Sequence, residues 1–212
     1  MINQKRRQML QVTAALLPVS TLTACEFLPH HDRLTESRPM TPTTQQGNFS
    51  GIHDFDFLVG YWRIENRRLT QRLQQGTEWE SFDAVQNNLP LPGGIGNYDD
   101  YIADIWRPGF VGMSLRLFNP QTGLWSIYWL DNLTAGVDEA GTLRPPVVGK
   151  FNGQIGIFEG DDELDGKKIR VRYTWTKINP MRATWEQAMS PDQGQTWETN
   201  WHMAMYKTDK PV

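Results

Sequence analysis

The feature that most constrains the fold of this chain is an alternation of apolar and polar residues, which begins near Tyr61 and recurs to the end. Successive side chains of a β-strand point to opposite faces, so a period of two indicates strands with one buried face. Turn-forming pairs such as Asp165-Gly166 and Asn179-Pro180 separate the alternating segments. The pattern predicts ten strands, at residues 61–71, 78–86, 97–106, 110–118, 124–131, 147–151, 154–158, 168–178, 183–189 and 196–206.

These strands follow one another at hairpin spacing without helices between them, which predicts an all-β fold. A single antiparallel up-and-down barrel is favoured, because closing a meander on itself removes its exposed edges. The predicted barrel occupies residues 52–207, with a short tail at 208–212. A short N-terminal helix is predicted at residues 53–59, immediately before the first strand.

The alternation also predicts which side of each strand faces the barrel interior. Each strand has one tryptophan-rich apolar face and one polar face, and the apolar face is expected inside. In the last strand this rule places Trp197 and Trp201 inside, and Glu198, Asn200 and His202 outside. A one-residue change of register would exchange the two faces.

The beginning of the chain has the layout of a secretory signal. Lys5, Arg6 and Arg7 precede an uncharged, mostly apolar run that ends at Ala24. The run is too short to span a bilayer, which takes about 20 residues. Its end, Leu22-Thr23-Ala24-Cys25, resembles the bacterial lipobox, and Cys25 is the only cysteine of the chain. We therefore expect a signal peptide at residues 1–24 and a lipid-modified Cys25 that anchors the protein to a membrane.

The same region carries expectations about export and location. Residues 5–10 resemble a twin-arginine export signal, and an ordinary Sec signal stays an alternative. Glu26 follows the cysteine in place of the aspartate that retains enteric-type lipoproteins at the inner membrane. This favours the outer membrane of a Gram-negative cell envelope, with the protein facing the periplasm. Residues 25–51, rich in Pro, Thr and Gln, are predicted to form a flexible tether.

The charge balance bears on possible partners. The whole chain has a net charge of −3, and removal of residues 1–24 takes away three cations and no anion, leaving −6. An acidic balance without a basic stripe argues against nucleic acid as a partner. Without a further cysteine to form a disulfide, stability has to come from a hydrophobic core. The membrane, reached through the lipid, is the expected macromolecular partner.

One resemblance concerns the entry into the first strand. Phe57-Leu58-Val59-Gly60-Tyr61-Trp62 resembles the Gly-x-Trp opening of lipocalins and other calycin barrels. The segments 54–62, 68–69, 114–118, 125–129 and 196–201 together resemble an uncharacterised bacterial family with a calycin-like barrel. The resemblance spans roughly residues 53–206. The Gly-x-Trp resemblance implies that Trp62 plugs one end of the barrel, with Lys207 as the cation beside it, and the family resemblance implies no activity.

A second resemblance concerns the turn before the last strand. Residues 190–197, Ser-Pro-Asp-Gln-Gly-Gln-Thr-Trp, resemble the Asp-box of sialidase propellers. There the motif is a hairpin clasp without a catalytic role, and a propeller would need several copies. A stable hairpin is therefore expected here.

Metal and cofactor candidates are few. His202 is a candidate haem ligand because some similar barrels, of the nitrobindin type, use a histidine near the C-terminal strands, but alternation places it outside. An acidic cluster at residues 159–165 is a candidate calcium site, although its spacing differs from an EF-hand and a solvated turn is favoured. His30-His31 lacks further ligands. We therefore expect no metal and no cofactor.

The aromatic interior predicts a function. Large aromatic side chains with a few polar groups are typical of a pocket for one small hydrophobic or aromatic molecule. An enzyme acting through Arg68 with Asp131 or Asp83 is an alternative, and a structural protein with a filled barrel is another. No catalytic residue is assigned. The predicted ligand-binding residues are Trp62, Asn66, Arg68, Trp79, Asp83, Trp125, Trp129, Asp131, Trp175, Gln187 and Trp201.

Overall fold

The computed structural model describes residues 47–211. The predicted signal peptide, the lipidation site Cys25, His30-His31 and most of the tether lie outside the described residues. Within residues 47–211, no helix is both long enough and apolar enough to cross a membrane.

Ten antiparallel strands account for most of the described chain. A single turn of 3-10 helix, Asp56–Leu58, precedes the first strand, and another, Pro92–Gly94, lies between the second and third. The first element is shorter than the helix expected at residues 53–59, which the structure does not show. The strands are β1 Gly60–Leu69, β2 Trp79–Pro90, β3 Gly96–Ile102, β4 Val111–Asn119, β5 Leu124–Asp131, β6 Val147–Asn152, β7 Ile155–Leu164, β8 Lys167–Asn179, β9 Arg182–Ser190 and β10 Glu198–Thr208.

The strands form a closed barrel in simple chain order. Each strand pairs with its neighbours in sequence, and β1 closes the barrel by pairing with both β2 and β10. The prediction of an all-β, antiparallel, up-and-down barrel of ten strands is confirmed. Closure satisfies the backbone hydrogen bonds of both terminal strands, which would otherwise be exposed edges.

One end of the barrel is filled by aromatic side chains, and we call it the closed end. Phe55, which precedes the 3-10 turn, is fully buried and packs edge-on against Trp125 and Phe151, with ring centroids 5.0 and 5.1 Å apart. Trp62 is also fully buried and donates its indole N–H to Leu58 O at 2.6 Å. Edge-to-face pairs of this kind are favourable beyond the area that they bury.

Lys207 lies beside this plug. Its Nζ is 5.5 Å from the centre of the Trp62 ring and donates to Phe57 O at 3.2 Å. The ammonium group therefore joins the last strand to both the plug and the segment that enters the barrel. This is the arrangement of tryptophan and cation that the Gly-x-Trp resemblance implies.

The predicted faces of β10 are wrong at Asn200 and before it, because a β-bulge interrupts the strand there. The pairing with β9 shifts between Thr199 and Trp201, so that Asn200 is an extra residue in the strand. Asn200 is fully buried and accepts a hydrogen bond from Gln187 Nε2 at 2.9 Å, although alternation placed it outside. Before the bulge the parity is reversed. Trp197 lies against Arg172, an outward residue, with the guanidinium 3.9 Å from its ring centre.

The predicted hairpin clasp is present at the turn before β10. Asp192 accepts hydrogen bonds from the backbone N–H and the hydroxyl of Thr196, at 2.8 and 2.6 Å. The Trp197 indole donates to Gly194 O at 3.0 Å. The motif therefore holds its own turn together, as such local side-chain to backbone bonds do.

The barrel wall is unevenly paired. Three residue pairs, from Trp125–Gly149 to Ile127–Val147, join β5 to β6, whereas ten join β7 to β8. The second half of β5 does not pair with β6. A loop at 132–146 follows it, with one isolated bridge between Val137 and Leu143. This weakly paired seam lies on one side of the barrel.

Candidate functional site

A cavity of about 370 Å³ occupies the barrel interior above the closed end. Its volume is within the range of pockets for small organic molecules. Side chains from most of the strands line it, and so do residues of the loops at its mouth, the end of the cavity away from Trp62. The wall contributed by β8, β9 and β10 differs in chemistry from the wall contributed by β2, β3 and β4.

The wall contributed by β8, β9 and β10 is aromatic. Trp175 and Trp185 are directly opposite each other in the β8–β9 pairing, and Trp185 packs edge-on against Tyr173 and Trp201 at 4.9 and 5.9 Å. Burial raises the pKa of the Tyr173 hydroxyl well above its usual value. The remaining apolar members of this wall are Met189 and Met203.

The second is a polar wall centred on Arg116. This residue is 1% exposed, and its Nη2 donates to Asp99 Oδ2 on the neighbouring strand. Its Nη1 donates to Asn97 Oδ1 at 3.0 Å and to Asn88 Oδ1 at 3.3 Å. Asp99 Oδ1 in turn accepts from the backbone N–H of Ser114 at 3.1 Å. Such additional hydrogen bonds offset part of the cost of burying an ion pair.

Arg68 forms a second charged group nearer the mouth. It pairs with Glu80 at 2.9 Å, and its guanidinium lies 5.2 Å from the ring centres of both Trp106 and Trp201. The Trp106 indole donates to Glu80 Oε2 at 3.1 Å. Trp106 also stacks on Phe82, with ring centroids 4.5 Å apart, so the loop between β3 and β4 closes over this side of the cavity.

Asn66 connects the two walls from inside β1. Its Oδ1 accepts a hydrogen bond from the Tyr101 hydroxyl at 2.8 Å and another from the Trp201 indole at 3.0 Å. Burial raises the pKa of Tyr101 well above its usual value, although the bond to Asn66 acts in the opposite direction. One amide oxygen therefore fixes two of the aromatic side chains that line the cavity.

The mouth combines cations with exposed apolar side chains. Arg72 and Arg107 line it, and Leu133 of the loop after β5 is 69% exposed. Burial and the neighbouring Arg68 lower the pKa of Arg72 from its ordinary value. Asp131 is also at the mouth, where its Oδ1 accepts hydrogen bonds from the backbone N–H groups of Leu133 and Thr134.

The structure brings together just over half of the predicted ligand-binding residues. Six of them line the cavity: Arg68, Trp129, Asp131, Trp175, Gln187 and Trp201. Asn66 lies directly behind them, bonded to Trp201. Trp62 and Trp125 belong to the closed end, where the Trp125 indole donates to Gly51 O at 2.9 Å, and they do not border the cavity.

Two predicted positions are wrong, because Trp79 and Asp83 face outward. Trp79 packs against Arg67 and against the ring of His202, 5.3 Å away, on the outer surface. Asp83 is exposed and pairs in register with Glu65, another exposed residue. The inward residues of β2 are the alternate ones, among them Glu80 and Gln86. The pair of Arg68 and Asp83 is therefore not assembled; Arg68 lines the same cavity as Asp131 but forms its ion pair with Glu80.

Sequence reasoning missed the polar wall. Arg116, Asp99 and Gln86 were assigned no role from the sequence, because polar residues in alternating strands usually lie on the solvent face. Their neighbours gave a usable signal: Arg116 shares its strand face with Phe118, and Asp99 shares its face with Tyr101. Trp106 was missed as well, because the predicted third strand ran through the loop that contains it.

The other candidate sites are placed as follows. His202 faces outward, partly exposed, with its Nδ1 3.2 Å from Glu186 Oε1. Glu159 of the acidic cluster pairs with Arg170 and Arg172 across the β7–β8 ladder. Among residues 47–211 no group of three or more histidine, cysteine or acidic side chains is placed to hold a metal ion.

Fold and site define the class: a closed, ten-stranded antiparallel β-barrel with a two-sided internal cavity. The sequence matches no family model, and a search of curated proteins also gives no match. The cavity itself is therefore the feature of the protein that bears on its function.

Proposed function

We propose that this protein is a lipid-anchored envelope protein that binds one small hydrophobic or aromatic molecule inside its barrel. The observation that carries the proposal is the cavity of about 370 Å³ between an aromatic and a polar wall. Apolar surface supplies most of the affinity in such pockets, and a few polar groups set the orientation. A filled barrel would offer no such volume, so the cavity favours binding over a purely structural role.

The class of barrel is part of the proposal. The Gly-x-Trp entry, with Trp62 in the closed end and Lys207 beside it, supports a calycin-like barrel. Ligand binding inside the barrel is a use to which barrels of this size are suited.

Binding can be tested with N-phenyl-1-naphthylamine, a neutral aromatic probe whose fluorescence rises in an apolar environment. We expect saturable binding with one probe per protein. Ser114→Trp adds an indole to the cavity lining and should abolish binding. Ser81→Trp makes the same change at an exposed position of β2 and should leave binding unchanged. Equal binding by both variants, with both shown to be folded, would place the probe outside the cavity and contradict the proposal.

Ligand binding should also stabilise the fold by mass action. At a probe concentration 100 times the Kd, the free energy of unfolding should rise by about 2.7 kcal/mol. Urea unfolding with and without the probe measures this, and Ser114→Trp should show no such increase.

The membrane anchor needs a separate test. The basic n-region, the apolar run and the sequence Leu22-Thr23-Ala24-Cys25 support it. In a bacterial host, the full chain should incorporate an alkyne-labelled fatty acid and fractionate with membranes. Cys25→Ser should lose the label and accumulate at a higher mass because the signal peptide is retained. Unchanged labelling of that variant would overturn the lipoprotein assignment without affecting the cavity.

A further inference from the structure

The polar side of the cavity has hydrogen-bond donors that lack acceptors. Within residues 47–211, Arg116 Nε and Trp175 Nε1 are buried and make no hydrogen bond. Both residues line the cavity, and the Arg116 guanidinium lies 5.5 Å from the centre of the Trp175 ring. Among the same residues, Arg68 Nε and Asn88 Nδ2 are also buried without a partner, but Arg68 lies nearer the mouth and Asn88 does not line the cavity. The unpaired N–H groups of Arg116 and Trp175 belong to adjacent side chains at the inner end of the cavity.

The neighbouring acceptors are already engaged. Asp99 uses one oxygen for Arg116 and the other for the backbone N–H of Ser114. Asn88 Oδ1 and Asn97 Oδ1 accept from Arg116 Nη1. A buried donor without a partner is costly, so these two favour an occupant that brings its own acceptor.

The charge at this place limits the kind of acceptor. Asp99, 0% exposed, already balances the charge of Arg116, 1% exposed. An anionic group beside the pair would leave one uncompensated negative charge away from water, which is unfavourable. A neutral oxygen, such as a ketone or ester carbonyl, accepts both N–H groups without adding charge.

Resting on the proposed ligand-binding function, we propose that the ligand is an aromatic or hydrocarbon molecule with a neutral carbonyl-type oxygen, which accepts hydrogen bonds from Arg116 Nε and Trp175 Nε1. The aromatic wall of β8–β10 holds its apolar body. The ligand is thus oriented, with its oxygen at the inner end of the cavity.

Three probes of nearly the same shape test this inference: 1-ethylnaphthalene, 1-acetylnaphthalene and 1-naphthoate. They carry no acceptor, a neutral carbonyl and an anion, respectively. Displacement of N-phenyl-1-naphthylamine gives their affinities. The ketone should bind about tenfold more tightly than the hydrocarbon, as expected for a hydrogen bond to otherwise unpaired buried donors. The carboxylate should bind more weakly than the ketone.

Trp175→Phe keeps an aromatic ring and removes one donor. In this variant the preference for ketone over hydrocarbon should fall several-fold, with hydrocarbon affinity nearly unchanged. Trp197→Phe is the matched control, because that indole lies on the outer face and donates to Gly194 O. It should leave the preference as in the wild type.

A spectroscopic readout complements the affinities. The carbonyl stretch of bound 13C=O-labelled 1-acetylnaphthalene should lie below its frequency in hydrocarbon solvent, and Trp175→Phe should shift it part of the way back. Binding of all three probes with equal affinity would overturn the inference while the binding function stands, and tightest binding of 1-naphthoate would overturn the neutral acceptor. If none of the three probes binds and N-phenyl-1-naphthylamine also fails to bind, the proposed function itself is wrong.

Discussion

Arg116 of β4 and Asp99 of β3 form an ion pair that is almost completely removed from solvent, with the two side chains 1% and 0% exposed. The pair is the centre of the polar wall, and its guanidinium lies 5.5 Å from the centre of the Trp175 ring. Removal of one partner leaves the other charge buried without compensation, which is among the more destabilising changes available to a protein.

Arg116→Met should therefore lower the free energy of unfolding by about 3–5 kcal/mol. The double variant Arg116→Met/Asp99→Leu should recover most of this loss, because it removes both charges. Arg63→Met breaks an exposed pair with Glu65 and should change stability by less than about 1 kcal/mol. Urea unfolding followed by circular dichroism measures all three. Additive losses in the double variant would contradict the coupling.

Asn66→Leu should destabilise the barrel because it leaves the Tyr101 hydroxyl and the Trp201 indole without their shared acceptor. Each buried donor left unpaired costs about 1–3 kcal/mol. Adding Tyr101→Phe to Asn66→Leu removes one stranded donor and should restore part of the stability. The comparison of the two variants by urea unfolding is the test, and a further loss in the double variant would argue against it.

The buried tyrosines should make stability fall in alkali. Burial raises the pKa of Tyr101 and Tyr173 above the ordinary value of 10.0, so the unfolded chain loses these protons at lower pH than the folded protein. Their contribution to stability is complete below about pH 10 and is lost as the pH rises towards their folded pKa. Absorbance at 295 nm should show two of the six tyrosines resisting ionisation until unfolding. Tyr101→Phe should leave one.

The Asp192 clasp should have the opposite pH dependence. Hydrogen bonds from Thr196 and Ser190 lower the pKa of Asp192 from 3.8 to about 2, so the carboxylate stabilises the fold when ionised. This stabilisation is present above about pH 4 and is lost as the pH falls to about 2. The difference in Tm between wild type and Asp192→Ala should therefore shrink across that interval. Glu139→Ala, at an exposed position, is the control, and its Tm should stay within error of the wild type.

The period of two was sufficient to predict the strands, because in a closed meander every strand has one wet and one dry face. It failed where the chain departs from that rule. At Asn200 one extra residue inverts the parity, and no local turn signal marks it. In β2, both faces carry apolar and acidic residues, so the choice is made by the register with β1, which sets Glu80 beside Arg68.

The candidate site was harder to predict than the fold. Inward-facing aromatic residues indicate a cavity lining, but residues of the same kind fill the closed end. Trp125 and Trp129 lie on the same face of β5, and the sequence does not show that Trp125 packs in the closed end while Trp129 lines the cavity. The Arg116–Asp99 pair was not predicted, although each residue shares a strand face with an aromatic side chain, because the burial of each charge depends on a partner from another strand. The alternation along one strand does not show an ion pair that forms between two strands.

The uneven number of residue pairs between neighbouring strands bears on how a ligand enters and leaves the barrel. Three residue pairs join β5 to β6, whereas ten join β7 to β8. The barrel wall should therefore deform most easily between β5 and β6. We expect amide protons near Val147 to exchange with solvent sooner than those of β7 and β8. We expect a ligand to enter and leave by brief separation of β5 from β6, while the other strand pairs of the barrel stay formed.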